Sequence, residues 1–265
     1  MSVDFFPKIN PAKSISAFGE RNPLYGTFDF GGGVAVIYKP SDLIALQVGY
    51  GDYSFKISDP NNGLFKDLST GRKNYGGQLT FTPNKSLTLG LLYVHYYSQF
   101  LGPVLNITGG TGSLFAQAPF GQTTPTMVNG FGIQASNRFS DRFALSGWVG
   151  YIKARSDSSG QVDGLNVSPG EKADIWNWAV TMAFPNFGKQ GSQFNFVFGT
   201  PPWVANNDVT SRIDRGRSYH IEASYNYPLA PRLFITPGFF VIINPEHNSN
   251  NDNIWLGTIR TTLYF

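Results

Sequence analysis

NDNIWLGTIRTTLYF (251–265) closes the chain, and its reading decides the fold. In steps of two, Trp255, Gly257, Ile259, Thr261, Leu263 and Phe265 share one face of a strand, while Ile254, Leu256, Thr258, Arg260, Thr262 and Tyr264 share the other. One face is greasy or small and the other carries the charge. Chain ends in water usually fray and are polar, so a terminal Phe265 asks for an apolar medium.

The same period recurs upstream. Ile44, Leu46, Val48 and Tyr50 oppose Gln47 and Gly49; Phe131, Ile133 and Ala135 oppose Gln134, Ser136 and Arg138. Trp176, Trp178, Val180, Met182 and Phe184 oppose Asn177 and Thr181, and Tyr219, Ile221, Ala223, Tyr225 and Tyr227 oppose His220, Glu222, Ser224 and Asn226. Period two predicts eleven strands, at 28–39, 43–51, 75–82, 86–98, 129–138, 142–153, 173–184, 192–199, 218–227, 232–243 and 253–265. Many are as long as the 9–11 residues a tilted strand needs to cross a bilayer, against five or six in an ordinary sheet.

Short turns follow every odd-numbered strand, and long Gly/Ser/Asn/Pro/Asp stretches lie between at 52–74, 99–128, 154–172, 200–217 and 244–252. Short turns at one rim and long loops at the other are the layout of an outer-membrane barrel. Alternation alone is equally compatible with a soluble sandwich, apolar face inward. Two features favour the membrane. Aromatic residues concentrate near strand ends (Phe28, Tyr38, Tyr50, Tyr93, Tyr151, Trp176, Phe184, Tyr227 and Phe265), and the loops are too long for a compact sandwich.

Composition narrows the functions. Charged residues make up 14%, with 30 Gly, 23 Phe, 13 Tyr and 5 Trp; a soluble domain is nearer one quarter charged. No apolar run approaches the roughly 18 residues of a spanning helix. The absence of cysteine removes disulfides, thiol nucleophiles and thiolate metal sites. The net charge of +3 is scattered, without the basic stripe that nucleic acid requires, so nucleic acid is not expected as a partner. The start, MSVDFFPKINPAKS, has no secretory-signal pattern.

Motifs of chemistry are weak. His95, His220 and His247 lie in unrelated contexts and no GxSxG elbow leads into a helix, so no catalytic residue is expected. Glu246, His247 and Asp252 could be read as metal ligands but are better read as a solvated Asn/Asp-rich loop, and no metal or other cofactor is expected. Gly31-Gly-Gly33 precedes no helix and marks a bend or a close neighbour rather than a phosphate cradle.

The stretches FGERNPLYG (18–26), GQLTFTPNKSLTLGLLYV (77–94), FALSGWVGYIKAR (143–155), ADIWNWAVTMAFPNFGKQGS (173–192), SYHIEASYNYPL (218–229) and ITPGFFVIINPEHNSNNDNIWLGTIRTTLYF (235–265) resemble the porin domain of cyanobacterial OprB-type porins. This is the carbohydrate-selective porin group, whose cyanobacterial members are also called iron uptake porins. The resemblance implies an all-β antiparallel transmembrane barrel of about sixteen strands in the cell outer membrane. It implies no enzyme activity. It further implies passive diffusion of carbohydrates or inorganic ions such as iron, and barrel-assembly machinery that reads Phe265. The signal peptide, wall-gripping domain and coiled coil that precede the barrel in this family are not seen here, which leaves wall anchoring open. The runner-up functions are a structural link between outer membrane and wall, and a soluble β-rich binding domain.

Eleven strands ending at the periplasmic rim would begin outside the cell, whereas complete bacterial barrels hold an even number. The expectation is therefore an incomplete barrel over 28–265, with 1–27 as the tail of an extracellular loop, one option being the loop that folds into the pore. A twelfth strand at 3–12 and assembly from two fragments are the alternatives. The pore-lining candidates are Arg138, Arg260, Glu222, His220, Gln134, Gln78, Gln47, Asn177, Thr258 and Thr262, with Thr80, Ser136, Thr181 and Ser224. The expected interfacial aromatics are Tyr50, Trp176, Trp178, Tyr227 and Phe265. Expected partners are outer-membrane lipid, small hydrophilic solutes, the assembly machinery and a second copy of the chain.

Overall fold

The computed structural model describes residues 6–27, 32–52, 73–98 and 106–264. Eleven antiparallel strands form one sheet in simple sequential order. They are β1 (Gly32–Ser41), β2 (Ile44–Asp52), β3 (Lys73–Phe81), β4 (Leu87–Ser98), β5 (Thr126–Ser140) and β6 (Phe143–Ser156), followed, after a small separate hairpin β7 (Gly160–Val162) and β8 (Leu165–Val167), by β9 (Lys172–Pro185), β10 (Gln193–Asn207), β11 (Tyr219–Ala230), β12 (Leu233–Ile243) and β13 (Ile254–Leu263). Among the described residues no pairing joins β1 to β13, so both are edges. Phe265, Phe28 and Gly31 lie outside the described residues.

All eleven expected strands are present, with shifted ends. The largest correction is β10, expected to stop at 199 but running to Asn207 through Pro201-Pro202. Prolines are tolerated there for two reasons. The register with β9 shifts between Thr200 and Trp203, and pairing with β11 ends at Gly199, so no ladder needs their missing N–H groups. The β7–β8 hairpin falls inside the stretch read as irregular loop. Asp163 and Gly164, with φ of 52° and 79°, give its two-residue turn the paired left-handed geometry that Asp-Gly favours.

The sheet is inverted relative to a soluble domain. Val36, Ile133, Val149, Phe239 and Ile259 are exposed on the outer face, Ile133 to 64% and Ile259 to 74%. Gln47, Gln78, Gln134, Asn177, Thr181, His220 and Glu222 are buried on the inner one. Two aromatic belts bound the outer apolar band. One passes through Tyr93, Phe131, Tyr151 and Trp176, with neighbouring ring centroids 5.2, 6.3 and 4.6 Å apart. The other passes through Phe139, Phe143, Phe184 and Phe194 near the short turns, at 5.6, 5.2 and 5.9 Å. Phe131 and Phe139, eight residues apart on β5, are separated by about 27 Å of strand, or about 20 Å along the membrane normal at the usual tilt. That is close to the apolar band of an outer-membrane barrel.

The concave face is filled, not empty. Residues 6–27 run across it, carrying a one-turn helix α1 (Ala17–Glu20) and a 3-10 turn (Pro23–Thr27). The stretch 106–121, expected as an outward loop, folds inward instead and carries the one-turn helix α2 (Leu114–Gln117). Leu24, Tyr25, Ile107, Ala116 and Phe120 meet Leu92, Val94, Val128, Ile152, Ile175 and Val204 of the inner strand faces in one apolar cluster. The expectation of a polar inner face therefore needs correcting for the long-loop half, where the face is apolar and dry. Each large side chain buried there contributes about 1.5–3 kcal/mol.

Candidate functional site

The short-turn half of the concave face is polar, and residues 7–20 lie on it. Glu222, 1% exposed on β11, is its anchor. Its carboxylate accepts from Ser14 Oγ at 2.7 Å, from the Ile15 N–H at 2.7 Å and from Ser16 Oγ, and lies 3.2 Å from His220 Nε2. Around it, Lys13 N–H donates to Asn195 Oδ1 at 2.9 Å, Lys13 Nζ donates to Asn226 Oδ1 at 3.1 Å, and Ser224 Oγ donates to the Lys13 carbonyl at 2.8 Å. Arg260 reaches from β13 to the carbonyls of Ser14 and Ile15 at 3.1 and 3.0 Å. A second cluster holds the segment's start. Gln78 accepts from Tyr25 Oη at 2.6 Å and donates to the Pro7 carbonyl at 3.1 Å, and Gln134 donates to Tyr25 Oη. Between the two clusters, Asn10 Oδ1 accepts from Ser146 and Thr181, at 3.1 and 2.7 Å.

The candidate residues thus take different places. Gln78, Gln134, His220, Glu222 and Arg260 hold the N-terminal segment, Thr80 donates to Gln47 at 3.5 Å, and Thr258 and Thr262 share Arg260's face at the half-exposed edge strand. Asn177 is 1% exposed with neither amide atom hydrogen-bonded, and Trp148 Nε1 nearby is likewise unpartnered. Gly150 makes room for Asn177, because a Cβ there would stand 2.3 Å from its Nδ2. Arg138 follows the parity of Gln134 and Ser136 but stands exposed at the short-turn rim. On the outer face, Tyr50, Trp178 and Tyr227 are half-buried and Trp176 is exposed. Gly33 sits where a Cβ would meet Tyr50 O at 2.7 Å, a close approach of neighbouring strands.

Sequence reasoning missed Asn10, Lys13, Ser14, Ser16 and Tyr25. Asn-Pro-Ala-Lys-Ser does spell a polar, turn-forming segment, but its partners are some 140 to 210 residues away.

The long loops are tied together at the other rim. The Arg212 guanidinium donates to the carbonyls of Pro119 and Ala118 at 3.1 and 2.7 Å and to Asp163 at 2.8 Å, and lies over the Phe115 ring. His247, expected in a solvated loop, is buried instead. It accepts from Ser218 N–H at Nδ1 and lies 2.9 Å from the Pro202 carbonyl at Nε2, so both ring nitrogens are engaged and neither is open to a metal. Asp214 accepts from Ser113 Oγ and from the Val204 N–H, both at 2.7 Å.

Burial pushes the Asp214 carboxyl up to about 6, helped by the neighbouring Glu246, and burial pushes His247 down to about 4, helped by Arg217. The two act in opposite senses. Asp214, raised above its unfolded value of 3.8, costs stability as pH rises from about 4 to about 6. His247, depressed below 6.5, costs stability as pH falls from 6.5 to about 4. Wild-type loops are therefore expected to show a nearly flat stability between pH 4 and 6. Asp214→Asn removes one arm, so protease resistance of the loop cluster should then rise with pH across that window, by about 2 kcal/mol. Equal pH dependence in both proteins would contradict the assignment.

An inverted antiparallel sheet with two aromatic belts, short turns at one rim and inward-folded segments over a polar face defines an outer-membrane barrel protein of porin type. The chain belongs to the carbohydrate-selective porin OprB family, whose model matches residues 22–265. It is 31% identical over 260 residues to the uncharacterized protein sll0772 of Synechocystis, covering 94% of this chain and 46% of that protein. It is 30% identical over 281 residues to the uncharacterized protein alr4550 of Nostoc, covering 98% and 44%. The chain thus spans about half the length of these relatives. Its fold is similar to the anion-selective porin of Comamonas acidovorans, at a TM-score of 0.52 with 11% identity, over 88% of this chain and 57% of that one. It is also similar to OmpT of Vibrio cholerae, at 0.60 with 8% identity, over 97% and 71%. Family and fold place the protein in the outer membrane.

Proposed function

We propose that the protein forms part of an aqueous pore through which small hydrophilic solutes, carbohydrates or inorganic ions such as iron, diffuse passively. The observation that supports this most is the inverted sheet, whose buried polar residues sit on the concave side while apolar ones face outward. Family and fold point to a channel rather than an enzyme. In this reading, residues 7–20 narrow the passage. They bring the Lys8–Glu20 pair to it, with the Lys13 ammonium held on the wall by Asn226, while the polar strand residues serve as their seat. Arg138 adds charge at the periplasmic mouth. The barrel closes with strands beyond the eleven described, Phe265 is read by the assembly machinery, and copies associate in the membrane.

Liposome swelling tests this. The full-length parent protein, reconstituted with its barrel closed, should admit small sugars at rates that fall steeply with solute size, and should show ohmic conductance in planar bilayers. Protein that inserts fully yet gives neither would overturn the reading.

A further inference from the structure

The outer face carries a broad, open depression. A shallow groove of about 820 Å³ lies across β10 to β13, lined by Phe194, Ala223, Tyr225, Phe239, Gly257 and Ile259. Ala223 on β11 and Gly257 on β13 flank Phe239 of β12, which pairs with both, so a low place lies on each side of that ring. The groove is continuous with the lipid-facing band, so hydrocarbon is what reaches it.

Its lower end is charged. Tyr225 leads to Tyr227, ring centroids 6.0 Å apart, and Lys189 Nζ stands 4.4 Å from the centre of the Tyr227 ring. Among the described residues Lys189 Nζ donates to neutral oxygens, Tyr227 Oη at 3.3 Å and the Pro228 carbonyl at 3.0 Å, and no carboxylate there neutralises its charge. Arg232 stands in the adjoining turn at the same rim. From Ala223 to Tyr227 the strand covers about 13 Å, a span that an acyl chain matches.

We propose that this groove is a binding site for one anionic phospholipid, its two acyl chains over Ala223 and Gly257 on either side of Phe239 and its phosphate at Lys189. Basic residues at membrane depth recognise anionic headgroups by charge, and the apolar trough supplies the remaining affinity. The site rests on the outer-membrane location and is independent of whether the pore conducts.

The test is native mass spectrometry of the full chain in neutral detergent, with equal amounts of phosphatidylglycerol and phosphatidylcholine of the same acyl chains. Wild type should retain one phosphatidylglycerol at least fivefold in excess of phosphatidylcholine. Gly257→Leu should reduce that adduct at least fivefold, and it leaves the fold intact because nothing lies within 4 Å of an added Cβ. Lys189→Gln, in an exposed turn, should abolish the headgroup preference while leaving chain binding. Wild type without phosphatidylglycerol excess, Gly257→Leu with an undiminished adduct, or Lys189→Gln with its preference retained would each overturn the proposal.

Discussion

Glu222→Ala is expected to release residues 8–20 from the concave face and to lower unfolding stability by about 3–5 kcal/mol. The carboxylate is buried and accepts from Ser14, Ile15 and Ser16 at once, so its loss leaves the Ile15 N–H without an acceptor and the two hydroxyls with only the Ser16 carbonyl and His220 beside them. His220 loses its neighbour at the same time. Glu222→Gln keeps an acceptor for Ser14 and Ile15, and should cost less than half as much. Thermal unfolding in detergent reads the first quantity. Proteolysis near Lys8 and Lys13 reads the second, with cleavage rising at least tenfold in Glu222→Ala. If the alanine variant stayed protease-resistant with wild-type stability, Glu222 would not be the segment's anchor.

The second large effect concerns the outer face. Ile133→Lys places a charge between the aromatic belts at a side chain 64% exposed, and should cost roughly 2–4 kcal/mol of folded stability in the bilayer, enough to cut the yield of folded protein sharply. Ser136→Lys, three residues on and facing the other way, should fold at near wild-type yield because its ammonium reaches the polar concave side. Folding into liposomes, followed by the heat-sensitive shift in electrophoretic mobility, gives both yields in one experiment. Similar losses in the two variants would mean that the sheet has no lipid-facing side.

What was legible in the sequence was whatever repeats locally. Period two in Trp176 to Phe184 or Tyr219 to Tyr227 depends only on neighbouring residues, and it located every strand of the sheet. The direction of the faces did not follow from alternation, because a sandwich and a barrel share it; exposure of Ile133 and burial of Gln134 settle it. The inward segments were illegible for a different reason. Residues 6–27 alternate poorly, and their meaning lies in contacts such as Ser14 with Glu222, 208 positions apart, which no window reads. The end of β10 was hidden by Pro201 and Pro202, whose local signal is a break and whose actual place is a register shift beside an unpaired edge. Ala116, Ala118 and Phe120 lie in a Gly-rich stretch whose composition reads as loop, and their burial depends on strands far off in the chain.

The claim on which the rest depends is that apolar side chains of the sheet face lipid and polar ones face the interior. The chain has no cysteine, so single cysteines can be introduced without background. An environment-sensitive fluorophore at Phe131, Ile133 or Ala135 should be quenched by brominated lipid, and at Gln134 or Ser136 it should not. Quenching at 134 and 136 with none at 131, 133 and 135 would contradict the inverted sheet, and with it the placement of this protein in the membrane.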